Sequence, residues 1–182
     1  MAPGDDYVRF SEYEDALASL ELVALVAPLV RDKPQYWKWV IVAAHDALQG
    51  AMVCACAVGT GSSVLEKKSA KKKSAKEKLA PFGRLLKWCI AGRKPILEPL
   101  VLTPKQRKDI ERLHDHFRND FAHFDPQGWR IEKAGLPRMI RATLDAAGEL
   151  MHRYYVIGHM DEDQQKRLTD ALATARKYLP MT

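Results

Sequence analysis

The sequence predicts an all-α protein, a helical bundle of about five to six helices, and three observations carry that prediction. Apolar residues recur at helical spacing along most of the chain, and no segment alternates apolar and polar residues over a useful length. Pro and Gly separate the helical blocks, and capping signals precede several of them. The chain has 182 residues, 47% of them hydrophobic and 29% charged, which fits a single globular domain over residues 1–182.

The first two helices are predicted from their start signals. Ser11 and Glu14 form a capping box that opens the first helix, and Pro28 is expected to kink or end it. Pro34 opens a long second helix over about 35–58. A Gly- and Ser-rich run ends this helix.

The most apolar stretch of the chain, 40–58, is about as long as a bilayer span. It carries His45, Asp46 and Gln49 near its middle, where polar side chains would be costly in lipid. We therefore interpret it as a core helix and expect no contact with a membrane.

The chain after residue 80 predicts four more helices. A short one covers about 81–90, and Thr103, Pro104 and Gln106 open another that runs to about 122. A last pair is predicted near 137–156 and 161–178.

Cysteine usage and the N-terminus predict the compartment. Cys54, Cys56 and Cys89 have no disulfide-framework spacing, so we expect buried thiols in a reducing cytoplasm. No Cys or His pair stands near them at metal spacing, so we expect no metal. The N-terminus is acidic and lacks the apolar core of a secretory signal.

Most of the positive charge lies in one strip, residues 66–78. The formal net charge of the chain is +6, and this strip carries seven Lys against two Glu. One interpretation is an RNA-backbone contact, and the other is a solvated, flexible segment at about 60–79. The candidate backbone contacts are Lys67, Lys68, Lys71, Lys72 and Lys73.

One dense polar cluster stands out, at 113–124, where three of the six His of the chain are interleaved with three Phe. Asn119 and His123 are four residues apart and share a helix face. His116 and Asp120 share a neighbouring face in the same way. Proton-transfer and hydrogen-bonding groups are therefore concentrated on one helix.

Three interpretations of this cluster stay open. A metal site is disfavoured, because two His at His-x-His spacing diverge on a helix. A solvated polar face with His near the helix C-terminus is the structural interpretation. The functional interpretation is a group of Arg118, Asn119 and His123 facing a groove. The sequence contains neither a phosphate-binding Gly-rich loop nor a Ser nucleophile elbow.

The run Arg118-Asn119-Asp120-Phe121-Ala122-His123 resembles the R-N-x-x-x-H motif of the HEPN superfamily (higher eukaryotes and prokaryotes nucleotide-binding). The stretch that follows, to residue 137, is also similar to bacterial members. The resemblance covers about 103–151 and leaves out the N-terminal block and the Lys-rich strip. It implies an up-down helical core with the motif on an inner helix.

Many proteins of this superfamily are metal-independent endoribonucleases, often toxins or phage-defence effectors, and others are inactive binding modules. The resemblance implies that Arg118 and His123 form the catalytic pair and that Asn119 assists them. His116 and Asp120 are candidate auxiliary residues. No cofactor is implied.

The same resemblance implies RNA as the substrate and a homodimer in which both copies of the motif line one cleft. A toxin role would add a neutralising antitoxin protein as a partner. The alternative is a non-catalytic helical module that binds RNA, a nucleotide or a partner protein. A smaller alternative is a structural bundle in which the motif is accidental.

Overall fold

A computed structural model of the chain describes residues 7–8, 10–57, 64–66, 78–92, 98–122 and 130–180. Its secondary structure is almost entirely helical, which confirms the all-α prediction. The helices in chain order are α1 Glu12–Val26, α2 Trp37–Cys56, α3 Phe82–Ala91, α4 Pro104–Arg112, α5 Asn119–Ala122, α6 Leu136–Met151, α7 Tyr154–Ile157 and α8 Glu162–Tyr178.

Shorter elements connect these helices. Two 3₁₀ turns, Ala27–Val30 and Pro34–Tyr36, lie between α1 and α2. A π-helical segment, Leu113–Arg118, continues α4 into α5. Strands β1 Leu65–Glu66 and β2 Lys78–Leu79 pair antiparallel, so the two ends of the Lys-rich strip are joined by a short ribbon.

The capping signals in the sequence are confirmed except for the reciprocal half of the box at Ser11, because the Glu14 carboxylate accepts from Gln164 and Arg167 of α8 instead. The Ser11 hydroxyl accepts a hydrogen bond from the backbone N–H of Glu14 at 3.2 Å. Thr103 and Gln106 form a reciprocal capping box at the start of α4. Pro28 lies in the 3₁₀ turn that follows α1, so this helix ends there as expected.

Two predicted helices differ from the observed ones. The helix expected over 137–156 breaks after Met151, and a turn at 152–153 separates α6 from α7. The ring Nδ1 of His152 lies 2.7 Å from the carbonyl oxygen of Gly148, so a side chain satisfies one carbonyl at the end of α6. The helix expected over 103–122 is continuous, but its middle six residues are wound as a π-helix.

The core of the bundle is built around α2. This helix packs against α1, α3 and α6, and most of its residues are buried. The segment Pro34–Cys56 is long and apolar enough to cross a membrane, yet 72% of its most apolar window is buried inside the protein. Cys54 and Cys56 lie on α2 and Cys89 on α3; all three are buried, and no disulfide joins them.

Ion pairs fix the outer helices to this core. On α4, Asp109 is buried and accepts two hydrogen bonds from Arg138 of α6, at 2.8 and 3.0 Å. On α8, Arg167 donates to Glu14 and Glu21 of α1. Bidentate Arg–carboxylate pairs define an orientation, so α4 is held in a fixed position against α6.

The crossing of α1 and α2 depends on Gly50. A Cβ at this position would lie 2.9 Å from Cβ and 3.1 Å from Cα of Ala16, and neither atom belongs to a flexible side chain. Only a glycine therefore lets the two helices approach this closely.

We predict that Gly50→Ala destabilises the protein by about 1–3 kcal/mol, because the added methyl group separates α1 from α2. For a chain of this size the melting temperature should fall by roughly 2–4 °C per kcal/mol, as measured by thermal unfolding. Gly83→Ala is the matched control, since a Cβ there has nothing within 4 Å. An equal melting temperature for Gly50→Ala and the unsubstituted protein would contradict the prediction.

Candidate functional site

The predicted motif lies at the end of the helix that α4 begins. Arg118 is the last π-helical residue and Asn119 the first residue of α5, and both are half-buried. Arg118 Nη1 lies 3.5 Å from Asn119 Oδ1, and Asn119 Nδ2 lies 3.4 Å from the carbonyl oxygen of Asp115. These distances are at the long end of the hydrogen-bond range, so both contacts are weak. His123 lies outside the described residues.

The other predicted site residues are not brought together. His116 and Asp120 are exposed, and within the described part of the chain neither forms a hydrogen bond or ion pair with Arg118 or Asn119. The structure therefore gives no contact that supports them as auxiliary residues. Lys67, Lys68, Lys71, Lys72 and Lys73 lie outside the described residues, as does His123.

A second group of polar side chains, which the sequence did not identify as a site, lies where the π-helical segment crosses α2. His45 Nε2 is 2.9 Å from His114 Nδ1, and His45 Nδ1 is 2.9 Å from Asp46 Oδ1. His45 is only 1% exposed, whereas the His114 side chain is 24% exposed. A buried imidazole thus links a carboxylate to a partly exposed imidazole.

An aromatic ring holds this pair of imidazoles in place. Phe82, the first residue of α3, stacks on His114 with ring centroids 4.2 Å apart and on His45 at 4.7 Å. The two imidazole rings are nearly parallel to each other, at 11°. Phe82 is itself buried, so the three rings have little freedom to reorient.

The environment of His114 favours its neutral form. Partial burial of the ring lowers the pKa of His114, and the nearby His45 and the positive charge of Arg118 lower it further. Asp115 acts in the opposite direction, with its carboxylate oxygen 3.9 Å from His114 Nε2. At neutral pH the ring therefore has an unprotonated nitrogen available.

Two adjoining cavities lie between α3 and α4. The larger has a volume of about 430 Å³ and is lined by Arg84, Lys87 and Arg107, with Trp88 beside them. The smaller, of about 150 Å³, is lined by Phe82, Arg107, Glu111, His114 and Asp115, among others. Lys87, Ile90 and Arg107 line both. We call the two cavities together the α3–α4 groove; it is cationic at one end and has His114 at the other.

A third cavity, of about 280 Å³, lies on the other side of His45. It is lined by Glu12, Asp15 and Asp46, among others. Asp46 is 44% exposed there. The hydrogen-bonded chain from Asp46 through His45 to His114 thus connects this cavity with the α3–α4 groove.

Within the residues that the structure describes, no three His, Cys, Asp or Glu side chains are grouped so that they could hold a metal ion. The side chains that line the groove present imidazole, guanidinium, ammonium and carboxylate groups. Comparison of the chain with protein-family models, with curated proteins and with solved structures gives no match.

Because the folded protein holds the pKa of His114 below its ordinary value of about 6.5, the unfolded chain binds the proton more strongly. We predict that the stability contributed by the neutral His114 ring is fully present above pH 6.5 and is lost as the pH falls through the lowered pKa of His114. The melting temperature should drop between pH 7.5 and 5.5, and it should drop less in His114→Gln. The lowered pKa of Glu14 acts in a more acidic window, below about 4.5, so it does not interfere. Equal drops for both proteins would contradict the prediction.

Proposed function

We propose that the protein is a metal-independent endoribonuclease that cleaves RNA through attack of the ribose 2′-hydroxyl, with Arg118, Asn119 and His123 as its catalytic residues. The observation that carries the proposal is that Arg118 and Asn119 stand on the same continuous helical run, 104–122, that forms one wall of the cationic α3–α4 groove. The lining of the groove ends at His114 and Asp115, so a bound strand would have to extend about one helical turn further to reach Arg118.

RNA supplies its own nucleophile, so the protein has to move protons and neutralise charge. The 2′-hydroxyl loses a proton as its oxygen bonds to phosphorus, and the 5′-oxygen takes up a proton as its bond to phosphorus breaks. An imidazole such as His123 is suited to proton transfer near neutral pH. The guanidinium of Arg118 can stabilise the additional charge on the phosphate oxygens without a metal ion.

The groove has the features of a binding site for a single strand. Arg84, Lys87 and Arg107 offer cations for phosphate groups, and Trp88 is a half-exposed aromatic side chain next to them. Arg107 also donates to Glu111 at 2.9 Å, so part of its charge is already neutralised. Stacking on an aromatic ring tolerates any base, which favours a nuclease with little dependence on sequence within the groove.

The remaining parts of the proposal come from the resemblance to HEPN proteins. A homodimer would bring two copies of Arg118 and His123 to one cleft and provide a second imidazole for the second proton transfer. A cytoplasmic toxin or phage-defence effector of this kind would pair with a neutralising antitoxin protein.

A non-catalytic module that binds RNA or a nucleotide is the second candidate. The observation that favours it is the groove itself, because three cations and an indole bind a phosphate chain without any acid or base. Replacement of His123 distinguishes the two candidates. A nuclease loses RNA cleavage in His123→Ala, whereas a non-catalytic module still binds its ligand.

We predict that the purified protein cleaves end-labelled RNA in excess chelator and that His123→Ala lowers the rate by about 10²–10⁴-fold, the usual contribution of an acid–base group. His159→Ala is the control, since His159 is exposed and packs beside Tyr13 of α1. Equal cleavage by the unsubstituted protein and His123→Ala would contradict the assignment of His123. Binding without cleavage would favour the non-catalytic module.

The groove and the Lys-rich strip make separable contributions to RNA binding. We predict that Arg84→Gln with Lys87→Gln weakens binding and flattens its salt dependence, by roughly 0.7 in log–log slope for each phosphate whose charge is no longer neutralised. Replacing the seven Lys of 66–78 by Gln tests the strip in the same titration. Lys177→Gln on α8 is the control for a change of charge alone. An unchanged slope in the groove variant would exclude the groove as the RNA site.

A further inference from the structure

The proposed reaction needs one group that accepts a proton and one that donates a proton, and the motif of a single chain contains only His123 for both tasks. The structure contains another imidazole on the same helical run, His114, which faces the α3–α4 groove. Its environment differs from that of an ordinary surface histidine, because a buried chain of hydrogen bonds ends on its ring.

The direction of these hydrogen bonds follows from the carboxylate at one end. A carboxylate only accepts, so His45 Nδ1 donates its proton to Asp46. A neutral His45 then has an unprotonated Nε2, which must accept from His114 Nδ1. His114 is left with its lone pair on Nε2. The tautomer of each ring is thus set by the network rather than by solvent.

We infer that Nε2 of His114 is the proton acceptor for the attacking 2′-hydroxyl, and that His45 and Asp46 are positioning residues that fix its tautomer and orientation. The inference rests on the proposed ribonuclease function. In the step it describes, the 2′-hydroxyl proton moves to His114 Nε2 while the 2′-oxygen bonds to phosphorus. The bond from phosphorus to the 5′-oxygen breaks, and His123, as an imidazolium, gives that oxygen its proton.

The surroundings of His114 suit this role. The same cavity is lined by Lys87 and Arg107, which can bind the phosphates on either side of the ribose. Arg118 follows four residues after His114, close enough for its charge to lower the pKa of the ring. The π-helical winding of 113–118 is itself a local departure from α-geometry of the type that often occurs at functional sites.

The charged and titratable groups that face or surround His114 determine how its protonation responds to pH. Those on the packed elements and on its own helix are His45 and Asp46 of α2, Lys87 of α3, and Arg107, Glu111, Asp115 and Arg118. Among them, His45 and Arg118 lower the pKa of His114, and Asp115 raises it. Removing Asp115 should therefore lower the pKa of His114 further.

The test is the pH dependence of kcat/KM between pH 5 and 9 on a single-stranded RNA of mixed sequence, in excess chelator. The rising acid limb should report the pKa of the proton acceptor in the unbound enzyme. We expect His114→Gln to lower kcat/KM by about 10²–10⁴-fold with unchanged RNA affinity. In Asp115→Asn the acid limb should move to lower pH, because the carboxylate that raises the pKa of His114 is gone. His159→Gln should leave both rate and profile unchanged.

Asp115→Asn keeps the test decisive if the variants of the buried chain fail to fold, because the Asp115 side chain is 64% exposed and its replacement should leave the core intact. An acid limb that stays in place or moves to higher pH in Asp115→Asn would overturn the inference. So would a folded His114→Gln that cleaves at the full rate; the proposed function would survive that result. If the unsubstituted protein cleaves no RNA, the proposed function fails and the inference with it.

Discussion

Burial of helix α2 is the constraint on which the rest of the structure depends. This helix supplies the centre of the core, so each of its buried side chains must be apolar or have its polar atoms paired. His45 is the buried polar side chain of α2, and its two ring nitrogens are paired with Asp46 on one side and His114 on the other. The second of these bonds requires the 113–118 segment to cross α2 next to His45. It therefore fixes the position of the continuous helical run 104–122, which carries Arg118 and Asn119.

The cationic groove follows from the same arrangement. Phe82 begins α3 and stacks on both imidazoles, so α3 is fixed beside the helical run 104–122. The polar faces of α3 and α4 then face each other across a cavity with Arg84, Lys87 and Arg107 on its walls. Asp109 and Arg138 hold the other side of α4 against α6. The buried contact between His45 and His114 and the ion pair between Asp109 and Arg138 thus hold the helical run that forms one wall of the groove.

The parts of the fold that local chemistry determines could be predicted from the sequence. Ser11, Thr103 and Pro28 act within one helical turn, and the ends they predict are close to the observed ones. The break after Met151 could not be predicted, since the apolar pattern continues through it. The π-helical winding could not be predicted either, because its apolar Leu113 and Phe117 are four residues apart, as in an ordinary α-helix.

The candidate site was only partly predictable for a related reason. The cluster of His on one helix was visible, but its spacing from Asp120 favoured His116, which is exposed, and nothing in the sequence pointed to His114. The choice between them depends on His45, which lies 69 residues away and in the sequence is only a polar interruption of an apolar helix. Contacts between distant segments of this kind depend on the tertiary fold, and one sequence contains no signal for them.

The tautomers of the two linked imidazoles can be measured directly by a long-range ¹H–¹⁵N NMR experiment on the unbound protein at pH 7.5. If the buried network sets them, His45 and His114 both carry their proton on Nδ1, a slowly exchanging proton is shared between the two rings, and His114 Nε2 is unprotonated. A His114 ring protonated on Nε2, or one that exchanges between tautomers as the exposed His159 should, would contradict this arrangement and the role proposed for His114.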